Sequence, residues 1–159
     1  MLRSRWRQGP AGDPLGDRAE ANGADSDMRA RRSGPLIVSV TDFTSDAYRD
    51  LPGIARRGFV LRRHWPHLDG AVGMWLWAAP SARRCGAVSV WTGRRALAEF
   101  VRLPEHVAIM DEYRERGTIR SVIREYESFD AARIRQDAEV WLTSDDRCRA
   151  ARGAAQQSD

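Results

Sequence analysis

The sequence predicts an α+β fold with the ferredoxin-like order β-α-β-β-α-β, followed by a C-terminal helix. Two apolar runs separated by a short polar turn, Ala71–Ala79 and Gly86–Trp91, are typical of a β-hairpin. Segments with apolar residues at helical spacing flank this hairpin and separate it from further β-branched runs. Two helices would then cover one face of a four-stranded antiparallel sheet.

The segment before the hairpin predicts one strand and one helix. Leu36–Thr41 is rich in β-branched residues, which suit a pleated strand. A helix is expected to start near Asp50, because Pro52 is tolerated in a first turn, and to end at Trp65, before Pro66. One stripe of this helix carries Ile54, Gly58, Leu61 and Trp65.

The segment after the hairpin predicts two helical pieces, a strand and a last helix. Thr92 can cap the first piece, Pro104 interrupts it, and Gly117 ends the second piece. Thr118–Glu127 fits helical spacing, but its β-branched content favours a strand, which the resemblance described below also selects. Asp130–Leu142 then predicts the C-terminal helix.

The strand from Ala71 to Ala79 is apolar on both alternating faces. One face carries Met74 and Leu76, and the other carries Trp75 and Trp77. A strand that is apolar on both sides is covered on both sides. Since two helices cover only one face, the sequence predicts a second subunit or a bound apolar ligand on the other. The Trp75/Trp77 face is expected to line the pocket.

Composition sets the domain limits and excludes several classes of protein. Residues 1–34 are expected to be a disordered leader, residues 35–142 the folded domain, and residues 143–159 a polar tail. The net charge of +4 is spread along the chain, which argues against a nucleic-acid partner. No stretch is long and apolar enough to span a membrane, so no membrane partner is expected. Cys85 and Cys148 are isolated in the sequence, which argues against a disulfide framework or a cysteine metal site. A cytoplasmic protein is expected.

Several short motifs give the chain a resemblance to a known superfamily. They are Leu51-Pro52-Gly53, the entry into the second strand from Asp69 to Met74, and Ser89-Val90-Trp91 followed by Pro104-Glu105-His106. With these motifs, residues 35–126 resemble the dimeric α+β barrel superfamily, whose best-known branch is the antibiotic-biosynthesis monooxygenases. The resemblance implies a homodimer in which two sheets pack face to face. It also implies a pocket in each subunit between the sheet and its helices.

The resemblance also suggests a chemistry for that pocket. In members without a cofactor, a carbanion of the substrate reacts with oxygen, and the protein supplies a dry pocket, orientation and one proton-transfer group. Haem-degrading relatives place an iron-binding His about one turn after His106, where this chain has Met110 and Asp111. We therefore expect no cofactor, with haem kept as an alternative.

His106 is the candidate catalytic residue, because it shares a helix face with apolar residues and imidazole titrates near neutrality. A structural role, in which the ring binds a nearby backbone carbonyl, is the alternative. The candidate substrate-binding residues are Trp75, Trp77, Trp91, Met110 and Tyr113. No metal site is expected, because Pro66 separates His64 from His67 and no third ligand lies nearby.

The function predicted from these features is that of a small, dimeric, monooxygenase-like protein acting on an apolar or aromatic metabolite. The first alternative is a non-catalytic dimer that binds a small ligand or serves as an accessory subunit. The second is a haem-binding or haem-degrading protein. A cavity of about 300–1,000 Å³ would favour the first function over a solidly packed interior.

Overall fold

The computed structural model describes residues 1–12 and 35–156, with side chains up to residue 144. The chain forms two compact units, Met1–Ser128 and Phe129–Asp159. The elements in chain order are β1 Leu2–Arg3, β2 Arg7–Gln8, β3 Leu36–Ser45, α1 Leu51–His64, β4 Ala71–Ala79, β5 Arg84–Trp91, α2 Arg94–Val101, α3 Pro104–Tyr113, β6 Gly117–Tyr126 and α4 Ala131–Gln156.

The predicted fold class is confirmed. Four long strands form an antiparallel sheet in the order β4-β5-β3-β6, and the two short N-terminal strands pair with β4. The segment that could have been helix or strand is β6, and its ten residues pair with all of β3. The first helical segment ends as predicted at Pro66, where a short 3-10 turn, Trp65–His67, follows α1.

The two faces of β4 have different surroundings. Met74 and Leu76 pack in the cluster on the helix side of the sheet, with Trp65 and Leu97. Because side chains alternate along a strand, Trp75 lies on the opposite face. The expectation that the Trp75/Trp77 face lines the pocket was therefore wrong for Trp75. The helix side of β4 is the Met74/Leu76 face.

The expectation of a disordered leader does not hold for residues 1–12. Leu2 and Arg3 pair with Ala78 and Trp77, and the Gly9 N–H donates to the Val72 carbonyl at 3.0 Å. The Trp6 ring lies 5.4 Å from the Trp75 ring, centroid to centroid. The edge of β4 thus supplies hydrogen-bond partners to the backbone of residues 1–12. Amino-acid composition alone does not predict this pairing. Residues 13–34 of the expected leader lie outside the described residues.

Gly73 explains how Trp6 reaches the sheet. A Cβ at this position would collide with the six-membered ring of Trp6, so the indole lies directly on the glycine backbone. This gap in the side chains of β4 gives the first residues of the chain a fixed register on the strand. We call residues 1–12 the N-terminal strap.

A buried ion-pair network joins the three strands β5, β3 and β6. The Asp42 carboxylate accepts hydrogen bonds from Arg84 Nε at 3.1 Å and from Arg84 Nη2 at 2.7 Å. Arg120 Nε donates to the same carboxylate at 2.7 Å. The side chains of Asp42 and Arg84 are only 1% and 6% exposed, so the charges compensate each other out of contact with water.

The last helix, α4, begins at a cap and is longer than expected. Asp130 Oδ1 accepts hydrogen bonds from the backbone N–H groups of Ala132 and Arg133 at 2.9 and 3.0 Å. The residues expected to start a polar tail at Thr143 continue the helix to Gln156. The Thr143 hydroxyl donates to the Glu139 carbonyl at 2.8 Å, so this residue is accommodated within the helix.

Candidate active site

A cavity of about 990 Å³ lies between the helix side of the sheet and helices α1, α2 and α3. None of the residues of α1 is fully buried, although this helix lies over the sheet. The helix therefore roofs a space that its side chains do not fill. The apolar lining includes Ile54, Leu61, Trp65, Met74, Leu76, Leu97, Phe100 and Ile109.

Small side chains on two central strands form the floor of the cavity. Cys85, Ala87 and Ser89 of β5 alternate along the strand, and they pair with Phe43, Thr41 and Ser39 of β3. Thr41 Oγ1 accepts a hydrogen bond from the Ala87 N–H at 3.1 Å. The Thr41 hydroxyl is engaged in this hydrogen bond between β3 and β5. The floor therefore consists of small side chains and carries no projecting charge.

His106 lines the cavity from the first turns of α3. Its ring lies 4.9 Å from the Phe100 ring in an edge-on arrangement. Burial lowers the pKa of the imidazole below its ordinary value of 6.5, and a hydrogen bond with the Val101 backbone opposes part of that shift. His106 is therefore neutral at neutral pH.

The catalytic role and the structural role considered for His106 are compatible in this geometry. The Val101 backbone takes up one polar interaction of the ring, as the structural role requires. Nδ1 is buried and has no hydrogen-bond partner among the described residues. A neutral imidazole that lines an apolar cavity can accept a proton from a bound molecule.

An aromatic cluster closes the end of the cavity next to His106. The Trp65 ring lies 4.7 Å from the Trp91 ring and 5.5 Å from the Phe100 ring. Trp65 is completely buried, and no described residue accepts a hydrogen bond from its Nε1. The cluster backs this end of the cavity rigidly, and Phe100 is its partly exposed member.

Cys85 places a thiol in the cavity floor. Burial, followed by the negative charge of Asp42, raises the pKa of this thiol to about 11. The protonated thiol is a poor nucleophile, so Cys85 contributes volume and polarisability to the floor and no covalent chemistry.

The predicted site residues fall into two groups. His106, Met110 and Trp77 line the cavity, whereas Trp75, Trp91 and Tyr113 do not. The Trp77 indole reaches over Gly86, which has no side chain, and donates from Nε1 to the Thr41 carbonyl at 3.1 Å. Trp91 is fully buried in the core beside the cavity.

Tyr113 supports the end of the cavity from behind Phe43. Their rings meet edge to face at 6.3 Å. The hydroxyl occupies the space above Gly53, where a Cβ would come within 2.6 Å of it. Burial, together with Glu112, raises the pKa of the phenol, so Tyr113 stays protonated and acts as a packing residue.

Sequence reasoning missed most of the apolar wall. Trp65, Leu97 and Phe100 were recognised as helix stripes but not as lining, and Met74 and Leu76 were placed on the wrong face. The small residues on β5 were the available signal. A strand whose core side carries only Cys85, Ala87 and Ser89 leaves volume unfilled.

The described residues contain no cluster of three or more side chains that could hold a metal ion. Met110 lines the cavity at the position where the haem-degrading relatives would place an iron-binding His. No histidine stands at that position, so the residues present do not match that mode of iron binding. No described helix is long and apolar enough to cross a membrane.

Comparisons with known proteins identify solved structures of similar fold. No family profile and no curated protein sequence matches the chain. A structure from Nitrosomonas europaea, provisionally described as an antibiotic biosynthesis monooxygenase, is similar with a TM-score of 0.52. It shares 10% sequence identity, and the similarity covers 58% of this chain and 90% of that one. The fold is that of the antibiotic-biosynthesis-monooxygenase-like proteins.

A second structure of the same fold gives a similar result. A conserved protein from Methanosarcina mazei has a TM-score of 0.51 and 9% identity, covering 62% of this chain and 98% of that one. Both solved chains are spanned almost completely, so the similarity of fold extends over nearly all of each.

Proposed function

We propose that this protein binds a planar, apolar small molecule in the cavity and catalyses its oxygenation without a cofactor. The observation that carries the proposal is the apolar cavity of about 990 Å³ with one neutral, partly buried imidazole in its wall. The Nitrosomonas europaea protein of similar fold is provisionally described as a monooxygenase, which is in line with an oxygenation. The cavity falls in the size range of small-molecule sites.

The proposed reaction begins with proton transfer from an activated C–H group to the imidazole of His106. The resulting carbanion reduces oxygen, and a carbon–oxygen bond forms to give a peroxide. Loss of water from the peroxide converts a CH₂ group to C=O, so one oxygen atom is incorporated and the other leaves as water. The substrate supplies all the electrons. The apolar walls exclude water that would protonate the carbanion.

Anthrone is a suitable probe, because its methylene group is acidic, its ring system is planar and its product is anthraquinone. We expect the protein to accelerate oxygen uptake in an oxygen electrode, with one anthraquinone formed per oxygen consumed. Ala87→Phe should block the cavity floor and abolish both this activity and the binding of the neutral fluorescent dye N-phenyl-1-naphthylamine. Ala108→Phe, on the exposed side of α3 and outside the cavity, is the matched control.

The two measurements separate the proposal from its main alternative. Dye binding that Ala87→Phe abolishes, without any oxygen uptake, would favour a non-catalytic ligand-binding protein. Dye binding unaffected by Ala87→Phe would contradict the assignment of the cavity as the site. Circular dichroism establishes that each variant remains folded.

A homodimer is part of the same proposal, but its support differs from the sequence argument. The sequence predicts a second subunit or a ligand on the face of β4 that the helices leave open. That face carries Trp75, expected to line the pocket, and its ring packs against Trp6 of its own chain. The edge strand β6 instead carries Ile119 and Ile123, which also line the cavity and are 46% and 45% exposed. Exposed apolar residues on an edge strand favour association.

Sedimentation velocity tests the dimer. We expect the wild-type chain to sediment as a dimer at micromolar concentration, and the double variant Ile119→Glu/Ile123→Glu as a monomer. Val60→Glu introduces the same charge at an exposed apolar residue of α1 and should leave the dimer intact. A monomeric wild-type chain would contradict the proposal.

A further inference from the structure

The charged residues that line the cavity are all of one sign. They are the four arginines Arg3, Arg94, Arg102 and Arg120. No aspartate or glutamate is among the lining residues that the structure describes. An arginine without a carboxylate partner at the rim of an apolar cavity would select ligands by charge as well as by shape.

Three of these arginines already have partners. Arg120 donates to Asp42, and Arg94 donates from Nε and Nη2 to Glu125 Oε1 at 3.1 and 2.8 Å. Arg3 has interactions of its own. The Arg102 guanidinium makes no hydrogen bond or ion pair within the described part of the chain. Its positive charge is therefore available to a ligand.

Arg102 stands at the rim, next to the proposed proton acceptor. It follows the last residue of α2, and its backbone N–H donates to the Glu99 carbonyl at 3.2 Å. Its neighbours Phe100 and Val101 line the cavity and contact the His106 ring. The side chain is exposed, whereas Leu97 and Trp65 behind it are buried.

This arrangement suits a molecule with an apolar body and an anionic end. Burying an unpaired carboxylate in an apolar cavity is costly, so the charged end of a ligand must stay at the rim. A guanidinium binds carboxylate through two parallel, charge-assisted hydrogen bonds, which a neutral hydroxyl group cannot match. The apolar body then fills the space between Trp65 and the small floor residues.

We propose that the cavity binds an amphipathic organic anion, whose carboxylate pairs with Arg102 at the rim while its apolar body lies against Trp65, Leu97 and Leu76. This inference rests on the proposed function, because it requires that the cavity is the ligand site. It goes further by naming the chemical class of the ligand and the residue that selects it.

Competition against N-phenyl-1-naphthylamine tests the proposal with a matched pair of ligands, decanoate and decanol. We expect decanoate to displace the dye at about tenfold lower concentration than decanol, the ratio that one charge-assisted contact supplies. An ionic strength of about 0.15 M limits the contribution of distant charges. Arg102→Gln should remove the preference, measured relative to the dye affinity of the same variant, and Arg102→Lys should keep part of it.

Arg95→Gln is the control. Arg95 lies on the same helix, is 93% exposed, pairs with Glu99 and does not line the cavity. This variant should keep the full preference for decanoate. Equal displacement by decanoate and decanol would overturn the inference, and so would equal effects of Arg102→Gln and Arg95→Gln. Failure of the dye to bind at all would instead overturn the proposed function, so the two failures are distinguishable.

Discussion

Replacing Asp42 by alanine is expected to lower the free energy of unfolding by about 3–5 kcal/mol, the largest effect on stability that we predict for this chain. The reason is the burial of the arginine that the substitution leaves behind. Arg84 donates two hydrogen bonds to the Asp42 carboxylate, and its side chain is only 6% exposed. Without the carboxylate, the guanidinium would remain charged inside the sheet and would lose the anion that compensates it.

A double variant distinguishes this cause from a simple loss of contacts. Asp42→Leu combined with Arg84→Met removes both buried charges and keeps the volume apolar, so it should be less destabilised than Asp42→Ala. Arg120, 27% exposed, can turn toward solvent in that background. The outcome is read from urea unfolding curves monitored by tryptophan fluorescence.

An exposed ion pair provides the comparison. Glu99→Ala breaks the pair between Glu99 and Arg95, whose side chains are 55% and 93% exposed, and should be far less destabilising than Asp42→Ala. If Asp42→Ala were no more destabilising than Glu99→Ala, the network would not have the structural role that its burial indicates.

His106 is expected to titrate below pH 6.5, and its replacement should lower kcat for anthrone on the order of 100-fold. Burial is the main cause of the lowered pKa, because the charged imidazolium loses its hydration. The proton-accepting form is present above the lowered pKa and is lost as the pH falls through it. The rate should therefore rise with pH to a plateau.

Two readouts test this expectation independently. The pKa is measured by NMR titration of the imidazole Cε1–H signal, which disappears in His106→Gln and needs no substrate. The catalytic role is measured as kcat and KM separately, and we expect the loss to fall mainly on kcat. His64→Ala, an exposed histidine outside the cavity, is the control. A midpoint above 6.5 would contradict the burial argument.

The lowered pKa of His106 also makes the stability of the fold depend on pH. A lowered pKa means that the unfolded chain binds a proton more readily than the folded chain does. Stability is therefore complete above the ordinary pKa of histidine and declines as the pH falls toward the lowered value. His106→Gln should remove this part of the acid sensitivity.

The order of elements could be predicted from the sequence because local signals agree with the fold. The paired apolar runs, the stops at Pro66 and Gly117, and the β-branched residues of β6 all favour one topology. The end of β3 was harder to predict. Asp42 looks like a residue that ends a strand, but Arg84 and Arg120 supply its hydrogen bonds from neighbouring strands.

The site was only partly predictable, because period alone does not say which face of a strand meets the helices. Both alternating faces of β4 are apolar, so the sequence pattern does not distinguish the face of Met74 from the face of Trp75. The deciding residue was Trp6, a distant tryptophan in a segment whose composition is typical of a disordered leader. His106 and Met110 were predictable, since α3 carries them on one face at helical spacing.

The N-terminal strap has a consequence for assembly. It occupies the outer edge of β4 with two-residue strands, and in the described part of the chain β6 pairs only with β3. The sheet therefore offers one long edge where another strand can add. Two copies that meet through the same edge form a closed, two-fold pair, and no second edge remains to propagate the chain. In the proposed dimer, the strap would thus favour a closed pair over an open filament.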